Sequence, residues 1–335
     1  TVMLVGFVSA GLITLSQSIG VIMGANIGTT FTGWLVAIIG FKVKITAMAL
    51  PAVALGFFPR FFGARRLADW GEVLIGFGVL FIGLDFMKDS VHQLRESEMI
   101  IGWMANCRAD LLVWRLLAVF VGAVVTMLIQ SSSATMVITM TLAAQQLIDL
   151  PTACALVLGE NIGTTVTANI AAIGASATAK RSARAHMLFN LTGATWAVLL
   201  FVPFLALVNW IVSSISGNGT ISEAGIATRL AAFHSIFNII NTAVFLPFAS
   251  QLAWVASKIV KVSKSEKTSG LKYIDPNIMD LTPMALQAAR AELSRMLDQT
   301  ESMLGRVLML ISSPDKKLGR IAEAIAASEK TVELL

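Results

Sequence analysis

Charged residues are scarce in this sequence. Asp, Glu, Lys and Arg make up only 13% of the chain, about half of what a soluble domain carries. Hydrophobic residues supply 56%, and the mean hydropathy is +0.77. This composition excludes an ordinary soluble protein and predicts a chain that crosses a membrane several times. The net charge of +5 does not indicate a nucleic-acid partner, because Lys and Arg lie in short loops between apolar runs, where they orient membrane helices.

Residue types that usually serve catalysis or metal binding are also few. Two cysteines, Cys107 and Cys154, and three histidines provide neither a disulfide framework nor a transition-metal site. There is no plausible catalytic triad, and the phrase Gly-x-Asn-Ile-Gly is not followed by the Gly-Lys-Ser/Thr of a nucleotide-binding loop. The sequence therefore predicts neither an enzyme nor a bound organic cofactor.

The sequence does contain a polar phrase that occurs twice within apolar runs. Residues 24–30 read Gly-Ala-Asn-Ile-Gly-Thr-Thr, and residues 159–165 read Gly-Glu-Asn-Ile-Gly-Thr-Thr, at an offset of 135 residues. Gly, Asn and paired Thr are unusual on a lipid-facing helix, and irregular backbone at membrane depth is tolerated where it lines a cavity. The phrase therefore predicts two broken helices, which are typical of the binding site of a transporter.

Positive charges predict how the two copies cross the membrane. The loops at residues 60–66 and 180–184 are basic and are assigned to the cytoplasm, whereas residues 213–223 contain no Lys or Arg. On either side of these loops we count further spans at residues 45–59, 70–87, 185–212 and 230–257. On this count residues 17–39 run outward and residues 152–175 run inward, which is an inverted-topology repeat. Lys42 and Lys44 fall outside on this count, against the charge rule.

Another polar cluster, Gln-Ser-Ser-Ser at residues 130–133, lies between apolar runs at residues 111–129 and 136–148. Each run is shorter than the roughly 20 residues that a spanning helix needs, which predicts a re-entrant hairpin with its tip at mid-membrane. Backbone N–H groups that open the second helix lack intrahelical partners and favour an anion. The hydroxyls and carbonyls of the repeated phrases suit a small cation such as Na+. Ser and Thr clusters also let helices pack closely, but three polar motifs together favour a binding site.

These motifs resemble those of the sodium-dependent phosphate cotransporters, the Na/Pi type II proteins and their bacterial relatives. That family carries Gln-Ser-Ser-Ser in each of two inverted repeats, near Asn-Ile-Gly-Thr elements, and the resemblance covers residues 1 to about 260. It implies Na+-driven symport of inorganic phosphate across the bacterial inner membrane, with the C-terminus in the cytoplasm. Only the second Gln-Ser-Ser-Ser is present, and by the 135-residue offset we expect the first to end shortly before Thr1.

The predicted phosphate site combines the hairpin tip with the repeated phrases. Its predicted residues are Gln130, Ser131, Ser132, Ser133, Asn26, Asn161, Thr29 and Thr164. The predicted sodium ligands are Thr30, Thr165, Gln130, Ser133, Asn161 and Glu160. A carrier of another anion, or a carrier coupled to H+ through Glu160, is the alternative within the same class of protein.

Glu160 is the main difference between the two phrases, because Ala25 occupies the matching position. A carboxylate at membrane depth is costly and marks a functional candidate. It could ligate Na+, titrate with H+, or pair with a base such as Arg115, and a near-interface position is the plainer alternative. Arg115 and Arg229 could recognise phosphate, but both are expected to reach the interface. The His-x-x-Phe-Asn pairs at residues 186–190 and 234–238 could form a polar seam beside the transport path, but they are expected to fix helix packing.

The chain divides into a transmembrane part, residues 1–260, and a cytoplasmic helical tail, residues 261–335. Repeat 1 occupies residues 1–100 and repeat 2 residues 101–260, each approximately. Four lysines at three-residue spacing, from Lys258 to Lys267, follow the last span and indicate a cytoplasmic segment next to the membrane.

Apolar residues at helical spacing predict one amphipathic tail helix over residues 286–311 and a second near Asp315. The tail resembles the start of a PhoU-like domain, which implies a regulatory or homodimerising role. A membrane-anchored phosphate sensor that signals through this tail is the alternative to a transporter.

Overall fold

The computed structural model describes residues 1–40, 46–94, 109, 111–216, 223–261, 273–274, 282–312 and 326. Within these residues the chain is helical and has no β-strand. The α-helices are α1 (Val2–Ser9), α2 (Leu15–Leu35), α3 (Thr46–Phe62), α4 (Arg65–Leu94), α5 (Leu112–Ile129), α6 (Ser132–Ala144), α7 (Leu150–Ala171), α8 (Ala177–Leu199), α9 (Phe201–Ser216), α10 (Glu223–Phe245), α11 (Ala249–Ile259) and α12 (Thr282–Ser312). A π-helix (Val36–Gly40) follows α2, and a 3-10 turn (Leu246–Phe248) separates α10 from α11.

Four helical segments of the described chain are long and apolar enough to cross a membrane. They are Leu15–Ile38, Arg65–Phe86, Leu112–Ile129 and Gly225–Ile259. The consecutive helices α8 and α9 would add a fifth span if the bent pair is counted as one. An all-α protein that crosses the membrane several times is thereby confirmed.

The predicted span at residues 185–212 is not one straight helix. α8 ends at Leu199, α9 begins at Phe201, and the two axes differ by 88°. Pro203 has no N–H to donate to the carbonyl of Leu199, so α8 cannot continue through it. The predicted span is therefore bent after Leu199, and Pro203 is a local cause of the bend.

The predicted spans at residues 45–59 and 70–87 form a helical hairpin, α3 and α4. Glycines allow the two backbones to touch: a Cβ added at Gly71 would lie 2.6 Å from the Gly56 oxygen, and one added at Gly78 would lie 2.6 Å from the Ala49 oxygen. Lys42 and Lys44, the residues that weaken the charge count, lie outside the described residues.

The two copies of the repeat share their backbone geometry at the same 135-residue offset. Three backbone N–H groups donate hydrogen bonds where α1 ends, from residues 10–12, and the same three bonds end α6, from residues 145–147. The middle residue of each set has positive φ, +68° at Gly11 and +60° at Gln146. The repeat that was read from a seven-residue phrase therefore extends to the turns that precede it.

The helix starts that follow these turns also match. Thr14 accepts the N–H of Gln17 at 3.3 Å, and at the equivalent place Asp149 accepts the N–H of Thr152 at 2.9 Å. A short oxygen-bearing side chain is what an N-cap position requires. Both copies of the long helix, α2 and α7, therefore begin with the same kind of cap.

The repeated phrases do not break their helices, contrary to the prediction. α2 and α7 run uninterrupted through residues 24–30 and 159–165. The hydroxyls of Thr29 and Thr164 donate back to the carbonyls four residues earlier at 2.8 Å, and those of Thr30 and Thr165 to the carbonyls three residues earlier at 2.7 Å. Threonine in this position is satisfied by its own helix. The irregularity that does occur, the π-helix at Val36–Gly40, comes after the phrase in the first copy.

Glycines of the second phrase instead bring α7 into backbone contact with α5. A Cβ added at Gly159 would lie 2.0 Å from the Val119 oxygen, and one at Gly163 would lie 2.5 Å from the Ala123 oxygen. Gly122 of α5 meets α7 in the same way. The Gly-x-x-x-Gly spacing places both glycines on one helix face, which is the usual motif for close packing in membranes. Sequence reading took these glycines as points of unwinding, whereas they are points of contact.

The chain separates into two compact units. One comprises residues 1–23, 167–189 and 246–335, and the other comprises residues 24–166 and 190–245. The second unit holds the hairpin α5–α6, most of α7 and the main apolar core, which is rich in Phe and Ala.

In the first unit the tail helix α12 packs on the turn between α1 and α2. Ala288 of α12 lies in a small apolar cluster with Ala10, Leu12 and Ile274. Glu292 is buried, accepts the backbone N–H of Tyr273 at 2.7 Å and forms an ion pair with Arg295. The amphipathic tail helix predicted over residues 286–311 is present as Thr282–Ser312. The second tail helix, predicted near Asp315, lies outside the described residues.

Gly159→Ala is expected to destabilise the protein by about 1–3 kcal/mol or more, because the added methyl group would overlap a backbone oxygen that cannot move alone. Thermal unfolding in detergent measures the change. Gly24→Ala is the matched control, since among the described residues no atom lies within 4 Å of a Cβ added there. Equal unfolding temperatures for the two variants would contradict the contact between α5 and α7.

Gly11→Ala is expected to loosen the docking of α12. A Cβ at this position would lie 2.5 Å from the ring of Tyr273, and φ there is +68°. The measurement is hydrogen exchange of the α12 amides. In a Tyr273→Ala background the clash is gone, so the same change should cost only the backbone strain, about 1 kcal/mol. An equal effect in both backgrounds would exclude the ring contact as the cause.

Candidate functional site

The helical hairpin predicted around residues 130–133 is present. α5 ends at Ile129, Gln130 takes a left-handed conformation with φ +58°, Ser131 is extended, and α6 begins at Ser132. The 13 residues of α6 extend about 20 Å, less than the roughly 30 Å of a bilayer core. The 18 residues of α5 are by themselves long enough to count as a span. Of the two arms predicted to be too short to cross the membrane, only α6 is that short.

The serines at the tip have different tasks. The Ser131 hydroxyl accepts the N–H of Ala134 at 3.3 Å, and the first intrahelical bond of α6 runs from Thr135 N–H to the Ser131 carbonyl at 3.1 Å. Ser131 is thus the N-cap of α6. The N–H groups of Ser132 and Ser133 precede the first helical bond, so the helix itself offers them no acceptor. Together with their hydroxyls these groups form the donor-rich start of α6, where the helix dipole favours an anion.

Exposure distinguishes Gln130 from the three serines. Gln130 is exposed, and Ser131, Ser132 and Ser133 are half-buried. The Gln130 N–H is bonded to the Thr126 carbonyl at 2.7 Å, so the turn continues the backbone hydrogen bonding of α5.

Close packing of α5 and α7 sets the height of the second phrase relative to the tip. Val119 meets Gly159, and further along both helices Thr126 meets Gly163, so α5 and α7 run in the same direction. Gln130 follows Thr126 by four residues, which is about 6 Å at 1.5 Å per residue. Residues 164–165 directly follow Gly163 and therefore lie about 3–5 Å below the tip along the helix axis. The structure thus brings Thr164 and Thr165 of α7 to nearly the level of the predicted ligands at the tip, whereas Asn161, two residues before Gly163, lies about 9 Å below it.

Glu160 lies deeper in the same bundle. Its Oε1 accepts the hydroxyl of Thr139 at 2.7 Å, which links α7 to α6, and its side chain is buried. By the same helix rise Glu160 is about 10 Å below the tip. The predicted sodium ligands therefore fall at two levels, and one ion cannot contact both Gln130 and Glu160.

Thr139 was not among the predicted site residues. It follows Thr135 by one helical turn, and both are buried on α6, so a polar stripe on an apolar helix was a readable signal. What the sequence could not show was that this stripe would meet the single carboxylate of α7.

The asparagines of the two phrases are both buried. The Asn161 side-chain amide donates to the carbonyl of Val157 at 2.9 Å on its own helix, so part of its polar capacity supports α7 itself. In the first copy, Thr29 and Thr30 lie about one turn before Gly33, where α2 packs on α6 beside Met140. The Trp34 indole donates to the Ser235 hydroxyl at 2.8 Å and joins α2 to α10.

Arg115 is held by partners within the protein, and its expected position at the interface stays a prediction. It is buried, its Nε donates to the Ala109 carbonyl at 3.1 Å, and a terminal nitrogen donates to the Val198 carbonyl at 3.1 Å. The guanidinium stands 4.4 Å from the ring centroid of Phe201. It therefore fastens the start of α5 to the end of α8, because planar stacking and several donors suit an Arg to this task.

Half-buried polar groups also join helices. Arg229 donates to the Asn209 side chain at 2.6 Å between α9 and α10. The Trp196 indole donates to Asn241 at 3.1 Å between α8 and α10. The Asn238 amide donates to the His234 carbonyl at 2.9 Å within α10, so the packing role expected of the His-x-x-Phe-Asn pairs stays a prediction.

The sequence matches a known protein family over well over half of its length. The sequence pattern of the family described as "Na+/Pi-cotransporter" matches residues 1–89 and 99–216. The chain is 31% identical over 252 residues to the "Uncharacterized protein YqeW" of Bacillus subtilis, which covers 74% of this chain and 75% of that protein. No solved structure matches the chain.

Longer relatives carry a functional name. The chain is 26% identical over 341 residues to the "Putative inorganic phosphate export protein YjbB" of Escherichia coli, and 25% identical over 341 residues to the protein of that name in Salmonella typhimurium. Each alignment covers 100% of this chain and 59% of the relative, so the chain spans little more than half the length of these proteins. The family pattern covers well over half of this chain. With its apolar spans and helical hairpin, the chain belongs to the Na+/Pi-cotransporter family of membrane transporters and is not an enzyme.

Proposed function

We propose that the protein carries inorganic phosphate across the bacterial inner membrane together with Na+. One observation carries the proposal: the N-terminus of α6, which is rich in hydrogen-bond donors, lies at the tip of a hairpin packed among membrane helices. The family match and the phosphate named for the longer relatives support the choice of anion. We place the C-terminus in the cytoplasm, where the charge distribution of the loops puts it.

Phosphate would bind at the tip. The hydroxyl and N–H groups of Ser132 and Ser133 and the Gln130 amide would donate to its oxygens, and Ser131 would hold the helix start in place. Thr164 would approach from α7, and Asn26 and Thr29 from the first copy. Asn161 is two residues before Gly163 and so about 9 Å below the tip, which places it with the deeper cation position and not with the phosphate. All these groups are neutral, so they would hold a phosphate anion without the very tight binding that a cluster of Arg would give.

Sodium would bind at the two levels of the site. Thr165 and Thr30, with Gln130 and Ser133, are the proposed ligands near the tip, and Glu160 with Asn161 forms the deeper cation position. Two opposite unit charges about 10 Å apart attract each other by about 1–2 kcal/mol at an effective dielectric constant near 20. Binding of one ion would therefore favour binding of the other by about tenfold, which is enough to couple their movement.

The opposite crossing of the two repeats is part of the proposal. The residues that begin α2 and those that end α7 belong to the same compact unit. In that unit Ser18 and Ser182 share a hydrogen bond of 2.9 Å, and Val8 of α1 packs with Ala168 and Ala172. Equivalent helices thus present opposite ends to one unit, which supports an inverted arrangement.

The direction of transport follows from the gradients and not from the site. An inward Na+ gradient would drive uptake, whereas the longer relatives are named for export. A coupled carrier moves both ions down their combined gradient, so one protein can show both directions. Transport of radiolabelled phosphate by proteoliposomes, with Na+ gradients of either sign and with Li+ or H+ gradients, tests coupling and direction together. The assay protein should include any residues that the gene encodes before Thr1. Phosphate movement that is the same with every cation would exclude Na+ coupling.

A second candidate, coupling to H+, rests on Glu160. A buried carboxylate whose hydrogen bond comes from the Thr139 hydroxyl can hold either a proton or a cation. In this alternative the deeper position carries H+ and the Na+ dependence is lost.

The tail helix α12 supports alternative functions for the protein. A PhoU-like regulatory domain, a homodimer contact or the output of a phosphate sensor would all act through α12. Deletion of the tail separates these readings, because a transporter keeps phosphate movement while a sensor loses its output.

The double change Ser132→Ala, Ser133→Ala is expected to weaken phosphate binding by about 100-fold, since two hydrogen bonds to a charged group are lost at about 1.5 kcal/mol each. The measurement is the phosphate concentration that gives half-maximal uptake. Ser250→Ala, at an exposed position of α11, is the control for serine removal. Undiminished uptake by a folded double variant would refute the proposed site.

Glu160→Gln is expected to lower the apparent Na+ affinity at least tenfold while leaving phosphate affinity at saturating Na+ within about threefold, because a unit of negative charge is removed from the deeper position. Initial rates against Na+ concentration at pH 6, 7 and 8 provide the test. Thr139→Val, which removes the hydrogen bond and keeps the carboxylate, is expected to have a smaller effect. Loss of the pH response with Na+ dependence intact would favour H+ coupling instead.

A further inference from the structure

A basic cleft lies in the first unit, which contains none of the residues proposed for transport. It has a volume of about 490 Å³ and is formed by the end of α7, the start of α8 and the end of α11. Its lining residues are Asn169, Ala172, Ile173, Lys180, Arg184, Met187, Ile259, Val260 and Lys261. The size is in the range of pockets that bind small ligands.

The cleft carries positive charge only. Lys180 and Arg184 lie one helical turn apart on α8, Lys261 faces them from the end of α11, and none of the lining residues is acidic. The described acidic residues of this unit all lie on α12, where Glu292 is paired with Arg295. Three like charges around one space repel each other, so an anion bound between them would be stabilised.

The walls of the cleft are fixed by neighbouring hydrogen bonds. Arg181, which does not line the cleft, donates from Nε to the carbonyl of Val260 at 3.0 Å and ties α8 to the end of α11. The Asn169 amide donates to the Ala183 carbonyl at 3.4 Å and ties the end of α7 to α8. The cleft is therefore built by contacts separate from the three cations that face its interior.

Apolar residues complete the lining. Ile173 is 75% exposed and Ile259 is 53% exposed, which is unusual for a cleft that binds a small hydrophilic ion. Ile259 is also the last residue of a candidate membrane span, so the cleft lies where a span meets the membrane surface. Basic pockets between helices at this depth suit phosphate-bearing lipid headgroups.

We propose that this cleft binds an anionic phospholipid, with the headgroup phosphate held by Lys180, Arg184 and Lys261 and an acyl chain lying along Ile173 and Ile259. The shared chemistry with free phosphate is the phosphate group itself. The two exposed isoleucines distinguish the sources, because an inorganic ion has no use for them. A lipid bound in this way would hold the ends of α7, α8 and α11 together at the membrane surface.

Native mass spectrometry of the detergent-purified protein, titrated with phosphatidylglycerol or with phosphatidylcholine, tests the proposal. The wild type is expected to retain phosphatidylglycerol at least tenfold more tightly than phosphatidylcholine. Lys180→Gln, Arg184→Gln is expected to weaken phosphatidylglycerol binding at least tenfold, since each basic residue near a lipid surface contributes about 1 kcal/mol.

Arg65→Gln, Arg66→Gln removes the same charge from exposed positions on α4 and should leave phosphatidylglycerol binding unchanged. Equal losses in the two double variants would mean that only overall charge matters, and equal binding of the two lipids would likewise overturn the proposal. If the α8 variant does not fold, Lys261→Gln replaces it, with a loss of about fivefold expected and no loss refuting the site.

Inorganic phosphate distinguishes the two sources. Millimolar phosphate should not displace phosphatidylglycerol from the wild type. Displacement by phosphate alone, dependent on Lys180 and Arg184, would assign the cleft to the free ion and overturn the lipid assignment.

Discussion

Backbone contact between α5 and α7 determines where everything else in the candidate site can lie. Lipid tails are as apolar as Leu, so two membrane helices gain little from apolar burial and associate through close van der Waals packing. Here Gly122, Gly159 and Gly163 remove the side chains that would keep the helices apart. Because the two backbones are in contact, the positions of these glycines fix how far α7 is displaced along its axis relative to the hairpin tip. The paired threonines then stand near the tip, and the carboxylate stands well below it.

A second constraint is that polar groups inside a bilayer need partners within the protein. The threonines of both phrases donate hydrogen bonds to carbonyls of their own helix. Two arginines donate to carbonyls near the ends of other helices. Arg115 bonds to Val198 close to the end of α8, and Arg181 bonds to Val260, which caps α11. Cations near the C-terminal end of a helix also interact favourably with its dipole. Basic residues thus hold helix ends together, while neutral donors remain at the hairpin tip.

The sequence predicted the parts whose cause is local. Run length and a polar cluster were enough for the hairpin, and the amphipathic spacing was enough for α12. The predicted breaks were wrong because a Gly-x-x-x-Gly pair can mark either unwinding or contact, and only the presence of α5 against α7 decides between them. The Thr139–Glu160 bond was out of reach for a similar reason, since it depends on how α6 and α7 align. The bend after Leu199 was within reach, because Pro203 can be read from the sequence. Orientation across the membrane and the roles of the site residues stay predictions.

The matched turns and caps of the two copies bear on the history of the chain. Segments that agree in helix ends, positive-φ positions and threonine hydrogen bonds at a constant offset are most simply descended from one duplicated ancestor. Features common to both copies then belong to that ancestor, and the contrast between Ala25 and Glu160 arose after the copies separated. The turns and threonine hydrogen bonds that both copies share would then be as old as the duplication. The carboxylate of Glu160 marks a difference that arose later, by a change in either copy.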